Sequence, residues 1–527
     1  LRLWVASKEQ QPPEGASLAL TIFGILALRM VLEPAVYLPG RVINPTNFLL
    51  HFPFFYMSLF LCLTLMVACL TRSPLLGTWQ LLTPGLAVIW LPPLIDFAAS
   101  GFGNAPIQRI LYITGDWNFL WRQFLTFYAG MSKEMSTLGL KTEILLIYAG
   151  LTFLVYLKTR SFSKALVALF LTHLIVFLHG TMPSALFNLR DVKQELERMP
   201  AIPMHQTRAN LFLMVICLEL VVVFTVAARE KVKAVLANAR PFRVIHYWGM
   251  LTFGLYLGHL NAKQMSFFSD VTFLMGIATL YLAVLALWLS SVFLNDVYDL
   301  EGDRLSNPER PIGRGALSRK EGIGLALGFA ALSLIAATTL YWGAVALLLA
   351  ALGISVVYSM PPLRLKRYPL ISTGLIAVGS LLMIALGFSL FGHATMRLIG
   401  HVTHDVLKHF PERVVAMVLV CFTLSFNTKD LKDIAGDRLS GNYTLPVLLG
   451  ITGGKWAIGL LSFASYLAVP FFLQLPELWM ASALGGFLTF VLILRPKASE
   501  PPIFLIYYLF MVLVAWTVLP QPGILFQ

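Results

Sequence analysis

Apolar runs long enough to cross a bilayer recur from residue 18 to residue 519, separated by short polar breaks. One helix needs about 20 residues to traverse the hydrocarbon, and roughly fifteen segments meet that length. Backbone in lipid must satisfy its own hydrogen bonds, which leaves helices or closed barrels, and continuous apolar segments of this length exclude a barrel. The pattern predicts an all-α, polytopic membrane protein. Spans are expected near 18–39, 48–70, 75–99, 143–157, 165–183 and 210–228, then near 246–262, 272–297, 321–339, 341–358, 370–391, 411–427, 451–474, 477–494 and 502–519.

A basic connector running from Arg229 through Lys231 and Lys233 to Arg240 and Arg243 separates the two sets. The domain boundary is placed there, with residues 1–240 as an N-terminal membrane domain of unknown function and 241–527 as a second domain. Two polar stretches, 100–142 and 184–209, interrupt the first set, and Trp117, Phe119, Trp121 and Phe124 form an aromatic cluster suited to the membrane interface. No internal repeat is evident on inspection.

Composition narrows the class. The chain is 58% hydrophobic and only 12% charged, which no soluble globular protein could keep in solution. A net charge of +13 would in a soluble chain raise nucleic acid as a partner, but here the basic residues cluster in loops beside apolar runs, where they set orientation. All four cysteines (Cys62, Cys69, Cys217, Cys421) lie inside apolar runs without CxxC or Cys/His spacing, so neither disulfides nor zinc are indicated. The chain starts at Leu1 without an initiator Met, which leaves a preceding segment open. With the connector cytoplasmic, the loops carrying Arg304, Arg310, Arg314, Arg319 and Lys320, then Arg364, Lys366 and Arg367, then Lys429, Lys432 and Arg438, then Arg495 and Lys497 share that side. The opposite loops are poor in Lys and Arg except over 392–413.

Two aspartate clusters fall on the same predicted cytoplasmic face. The first holds Asn295, Asp296, Asp299 and Asp303, the second Asp430, Asp433 and Asp437. Both use one spacing, three residues then four, which on a helix places all three carboxylates on one face. Carboxylates packed at a membrane boundary repel one another, and a divalent cation relieves that repulsion. Mg²⁺ is typically held by a few carboxylates, waters and a substrate's phosphates. Arg310, Arg314, Arg364 and Lys366 lie on the same side, where they could take remaining phosphate oxygens. Acids for metal and bases for anion point to a diphosphate, and a wet head site beside apolar helices points to a lipid tail. An allylic prenyl diphosphate fits, with Tyr298, Tyr358 or Phe426 as aromatic faces for a developing allylic cation.

The second domain resembles the UbiA superfamily of intramembrane prenyltransferases on three ordered motifs over residues 240–527. Asn295 to Asp303 carries the pattern NDxxDxxxD, followed by Arg304, Arg310-Pro311 and Gly315. The Tyr-x-x-Pro-Pro stretch reads Tyr358-Ser359-Met360-Pro361-Pro362 and ends in Leu365-Lys366. The second acidic pattern runs from Lys429-Asp430 through Gly436-Asp437-Arg438 to Thr444-Leu445-Pro446 and Gly450. The resemblance implies nine helices around a central cavity open laterally to lipid, and Mg²⁺-dependent transfer of a prenyl group from its diphosphate to an aromatic, tetrapyrrole or lipid-alcohol acceptor. It implies metal and diphosphate roles for Asn295, Asp296, Asp299, Asp303, Asp430, Asp433 and Asp437, and diphosphate contacts for Arg310 and Lys366. The second motif is similar to that of members acting on chlorophyllide, homogentisate or glyceryl phosphate lipids. About six N-terminal helices are additional to that family.

Blander readings stand beside these. The first acidic motif alone could be a solvated helix end, and the loop bases could serve topology only. Pro361-Pro362 reads as a rigid turn. Glu219, mid-span, reads as a structural polar contact between helices or as a proton or ligand site, with His173 as a candidate partner. His393, His401, His404 and His409 surround an external loop, where a solvated amphipathic helix is the simpler reading than a metal site. Two alternatives to prenyl transfer are a non-catalytic subunit docking a membrane partner through the N-terminal helices, and transfer of another diphosphate-activated group such as phosphoribosyl to a lipid.

Overall fold

The computed structural model describes residues 15–38, 47–105, 107, 112–113, 116–126, 136–188, 201–262, 270–398, 407, 409–496, 499–520 and 522–526. Among the described residues there is no strand, and 13 helices are long and apolar enough to cross a membrane. The two other expected spans are also helices. Pro241–Asn261 carries Arg243, His246 and His259 among its apolar residues, and Trp479–Leu494 has 16 residues. The expected fifteen therefore become thirteen by length and composition.

Contacts divide the chain into two compact units, Leu1–Arg229 and Glu230–Gln527. In the first, α1 is Gly15–Tyr37 and α2 is Phe52–Thr71. The span expected at 75–99 is not one continuous α-helix: α3 (Leu75–Leu82) passes into a tighter 3-10 segment, Thr83–Trp90, before α4 (Leu91–Ala99). Pro84, Pro92 and Pro93 each lack an N–H donor, which explains the breaks. Helix α5 (Trp117–Leu125) exposes Trp117 and Trp121, while Phe124 stacks on His173 at 4.7 Å. Helices α6 (Leu138–Thr159), α7 (Phe162–Asn188) and α8 (Met204–Ala227) complete the unit.

Polar clasps hold this apolar unit together. Asp96 on α4 accepts from Tyr37 Oη at 2.5 Å and from the Gly139 backbone N–H at 2.7 Å. Only a glycine fits at 139, because a Cβ there would sit 2.4 Å from the Pro92 carbonyl oxygen. His173 is not the partner of Glu219: its ring contacts Tyr148 Oη and the Phe124 carbonyl, and Glu219 meets Ser58 and Cys62 of α2 instead.

In the second unit, the short α9 (Arg229–Ala237) leads to α10 (Pro241–Asn261), α11 (Val271–Tyr298) and a seven-residue α12 (Leu300–Ser306). Then follow α13 (Arg319–Thr338), α14 (Trp342–Ser359), α15 (Ile371–Leu398), α16 (Glu412–Ser425), the seven-residue α17 (Ile434–Ser440), α18 (Leu445–Leu473), α19 (Trp479–Leu494) and α20 (Glu500–Val518). Small residues let these helices approach closely in lipid, where water expulsion contributes nothing between them. Gly254 on α10 faces α15 so tightly that a Cβ would lie 2.0 Å from the Ile384 carbonyl oxygen, and one on Gly387 would lie 2.3 Å from that of Leu251. Ser318 and Glu321 form a reciprocal capping box that starts α13.

Candidate active site

Neither aspartate cluster lies along a continuous helix face. Asp299 ends α11 at φ −102°, ψ 6°, and precedes α12; Asp433, at φ −98°, ψ 10°, precedes α17 after the 3-10 turn Phe426–Leu431. The middle aspartate of each cluster thus sits at a bend, with the first carboxylate on one helical piece and the third on the next. The two short helices then pack directly together. A Cβ on Gly436 would fall 2.7 Å from both the Gly302 carbonyl oxygen and Ser306 Oγ, and the Gly436 N–H donates to Ser306 Oγ at 2.9 Å. Asn307 Nδ2 bridges the clusters, donating to Asp303 Oδ1 at 3.2 Å and Asp433 Oδ1 at 2.9 Å. Contrary to the reading of no repeat, Gly-Asp-Arg-Leu-Ser occurs at both 302–306 and 436–440, and these pentads form the facing pair.

Asn295, Asp299, Asp303, Arg310, Tyr358, Lys366, Asp430, Asp433 and Asp437 line one cavity of about 1740 Å³, its mouth included. Its deeper wall is apolar, with Val284, Leu287, Ile354, Leu375 and Met383. Three predicted site residues do not line it. Asp296 is 2% exposed and is held behind the wall by Asn238 Nδ2 at 2.7 Å, Arg240 at 2.6 Å and Arg310 at 3.3 Å. Arg364 reaches Asp299 at 3.0 Å from the outer side, and Arg314 is exposed on the turn before Gly315. Of the aromatic candidates, Tyr358 and Phe426 face the cavity, whereas Tyr298 packs against the Phe293–Val297 core. Of the external-loop histidines, His393 stacks on Tyr341, His409 is exposed, and His401 and His404 lie outside the described residues.

The two clusters differ in charge compensation. In the first, each carboxylate has a basic partner: Asp296 has Arg240 and Arg310, Asp299 has Arg364 and Lys366, and Asp303 has Arg310. In the second, Asp430 meets Lys429 at 3.1 Å through one oxygen, while its Oδ2 is buried and without a hydrogen-bond partner. Asp433 is served by the Asn307 amide, and Asp437 by Asn442 at 2.8 Å and Thr444 at 3.2 Å. Amides and hydroxyls cancel no charge. Burial pushes the Asp437 carboxyl up to about 6 against its bond from Asn442, with Asp430 and Asp433 adding to the rise. Burial also raises Asp303 to about 6 despite Arg310, whereas at Asp299 the effect of burial is overcome by Lys366 and Arg364, which hold it below the usual range. A buried oxygen without a partner beside two uncompensated carboxylates is the donor set that a hard divalent cation fits.

Several cavity residues were not anticipated. Arg240, Arg243, His246 and Asn442 line it, as do Lys429 and Thr444, which the second acidic pattern contains without a role assigned to them. Arg240 and Arg243 read as a topological connector, and Arg240 is fixed by a left-handed backbone (φ 52°) and by the Trp288 indole donating to the Ala239 carbonyl at 2.8 Å. Lys429 lies 5.7 Å from the Tyr358 ring centre and donates to its hydroxyl at 3.2 Å.

These features define a polytopic, all-helical integral membrane protein with an acid- and base-rich cavity mouth over an apolar interior. Residues 252–511, most of the C-terminal unit, match the UbiA prenyltransferase family. Among curated relatives, the chain is 27% identical over 223 residues to digeranylgeranylglyceryl phosphate synthase of Natronomonas pharaonis, covering 42% of this chain and 70% of that one. It is 30% identical over 204 residues to the chloroplastic chlorophyll synthase of Avena sativa, covering 37% of this chain and 50% of that one. A solved UbiA homolog from Archaeoglobus fulgidus bound to GPP and Mg²⁺ matches at a TM-score of 0.41 and 19% identity, covering 55% of this chain and 99% of that one. The family match begins at residue 252, so the N-terminal unit lies outside it.

Proposed function

We propose that this protein transfers a prenyl group from an allylic prenyl diphosphate to a lipophilic acceptor, with its active site on the cytoplasmic face. The observation that carries this reading is the cavity itself, where two carboxylate clusters and several bases surround one mouth above an apolar wall. Asp430, Asp433 and Asp437, with Asp303 opposite, are the residues to hold Mg²⁺, because among the described residues Asp433 and Asp437 have no ion pair and one oxygen of Asp430 is buried without a hydrogen-bond partner. Bound there, Mg²⁺ supplies electrostatic stabilisation of a diphosphate leaving group.

The chain's own residues do the rest. Arg240, Arg310 and Lys366 present positive charge at the mouth, where they orient the diphosphate and offset the charge it gains as the C–O bond breaks. The electron pair leaves with the diphosphate, and the allylic carbon becomes cationic until the acceptor's nucleophile bonds it and releases a proton. Tyr358 and Phe426 offer aromatic faces to that cation. The apolar wall takes the tail and excludes water, which would otherwise capture the cation. Because a digeranylgeranylglyceryl phosphate synthase and a chlorophyll synthase are among the relatives, a glyceryl phosphate lipid and a tetrapyrrole are the acceptors to test first.

The test is incubation of the full-length protein in lipid nanodiscs with prenyl diphosphates of several lengths, Mg²⁺ and a lipid extract of the native membrane. Magnesium-dependent diphosphate release accompanied by a prenylated lipid supports the reading. No release with any donor contradicts it.

A further inference from the structure

The N-terminal unit contains a second cluster of metal-ligating side chains. Cys62 lies on α2, His179 on α7 and Glu219 on α8, and their ligand atoms all lie within 4.8 Å of one another. His179 and Glu219 are 3% and 7% exposed. Phe55 and Phe212 pack their rings beside the imidazole at 6.2 Å. Cys62 is near the middle of α2, about 15 Å from either helix end at about 1.5 Å per residue, so the cluster lies deep in the apolar span.

The hydrogen bonds of this cluster do not close. His179 Nδ1 is 2.8 Å from the Ile175 carbonyl, which can only accept, so Nδ1 carries the proton and Nε2 presents a lone pair. Ser58 Oγ is 2.9 Å from both Nε2 and Glu219 Oε1, yet one hydroxyl proton can serve only one of them. Cys62 Sγ is 3.0 Å from Oε1, and Glu219 Oε2 is buried with no hydrogen-bond partner. Among the described residues no ion pair includes Glu219. A lone pair, a thiol and an incompletely served carboxyl group thus converge in an apolar bundle.

We propose that Cys62, His179 and Glu219 bind a divalent transition-metal ion of the zinc type. Thiolate, imidazole and carboxylate together match a borderline-soft d-block cation rather than Mg²⁺, which prefers oxygen alone. Charge supports the same choice. A thiolate and a carboxylate cancel the two positive charges, so the complex is neutral, which is the form that low-dielectric surroundings tolerate. Binding releases the Cys62 thiol proton. Bond lengths of about 2.0–2.3 Å place tetrahedral ligand atoms about 3.5 Å apart, a spacing within the 4.8 Å that contains the present set. The carbonyl bond to Nδ1 orients the imidazole as metal-bound histidines are commonly oriented. Ser58 Oγ, 2.9 Å from both Nε2 and Oε1, lies against the ligand set. The site is independent of the prenyl-transfer reading, since it lies in the unit outside the family match.

The experiment is metal analysis of the full-length protein in nanodiscs, equilibrated with Zn²⁺, washed free of excess and never exposed to chelator. The expected result is about one zinc per chain, falling at least about tenfold in Cys62→Ser and in Glu219→Gln. Because a variant could misfold, Co²⁺ is also titrated into the wild type, where a thiolate-to-cobalt absorption band in the near ultraviolet is expected. Wild-type protein with less than about a tenth of an equivalent and no such band overturns the proposal. Undiminished metal in a folded Cys62→Ser variant overturns it equally.

Discussion

Replacing Gly436 with Ala tests whether contact between the two short acidic helices sets the site. The added Cβ would lie 2.7 Å from the Gly302 carbonyl oxygen and 2.7 Å from Ser306 Oγ. Ordinary contact begins near 3.4 Å, so α12 and α17 must separate by about 0.7 Å. That overpacking costs about 1–3 kcal/mol, and the bundle survives it because the contact is between two seven-residue helices at the cavity mouth. The catalytic effect should be larger than the stability effect. The same displacement parts Asp303 from Asp433 and Asp437, and misplacement by about 1 Å can lower a rate about 100-fold. Steady-state diphosphate release by Gly436→Ala should therefore show kcat/KM down by roughly 30- to 100-fold, with the thermal midpoint lower by only a few degrees. Gly324→Ala, whose Cβ meets nothing within 4 Å, is the control and should behave as wild type. Wild-type kcat/KM in a well-folded Gly436→Ala would refute the idea that helix contact positions the clusters.

Two further substitutions separate cavity bases from bases that only lie in the same loops. Lys366→Met removes the ammonium that meets Asp299 and Asn295 inside the cavity, and kcat/KM for the diphosphate donor should fall about 10- to 100-fold in the same kinetic assay. Arg314→Ala removes an exposed guanidinium off the cavity, so kcat/KM should change less than about twofold, and a large loss there would contradict the placement.

Sequence periodicity was most informative where lipid restricts the backbone to self-satisfied structure: every expected span is helical, and all but 75–99 rest on a single main α-helix. It failed at Pro84, Pro92 and Pro93, where hydropathy continues but the α-helical hydrogen-bond ladder does not. The aspartates were recognisable because carboxylates beside apolar runs stand out. Their geometry was not, since the bends at Asp299 and Asp433 break the helical spacing and the clusters meet through the packing of Gly302 against Gly436, a long-range contact. The duplicated Gly-Asp-Arg-Leu-Ser is legible in the sequence, but five residues make a weak repeat until the fold sets the two copies face to face. Arg240 was assigned to topology, since a guanidinium that orients the chain and one that holds Asp296 leave the same trace in a sequence. Cys62 and Glu219 were each visible, but their convergence with His179 depends on how α2, α7 and α8 pack.

The most direct measurement is a Mg²⁺ titration of prenyl transfer by wild type and by Asp430→Asn. That substitution keeps the shape of the side chain while removing the charge beside the unserved Oδ2. Wild-type activity should require Mg²⁺, and the variant should lose at least about 100-fold in kcat/KM at saturating metal while remaining folded. Equal activity of the two proteins, or wild-type activity undiminished by removal of divalent metal, would contradict a metal-dependent two-cluster site.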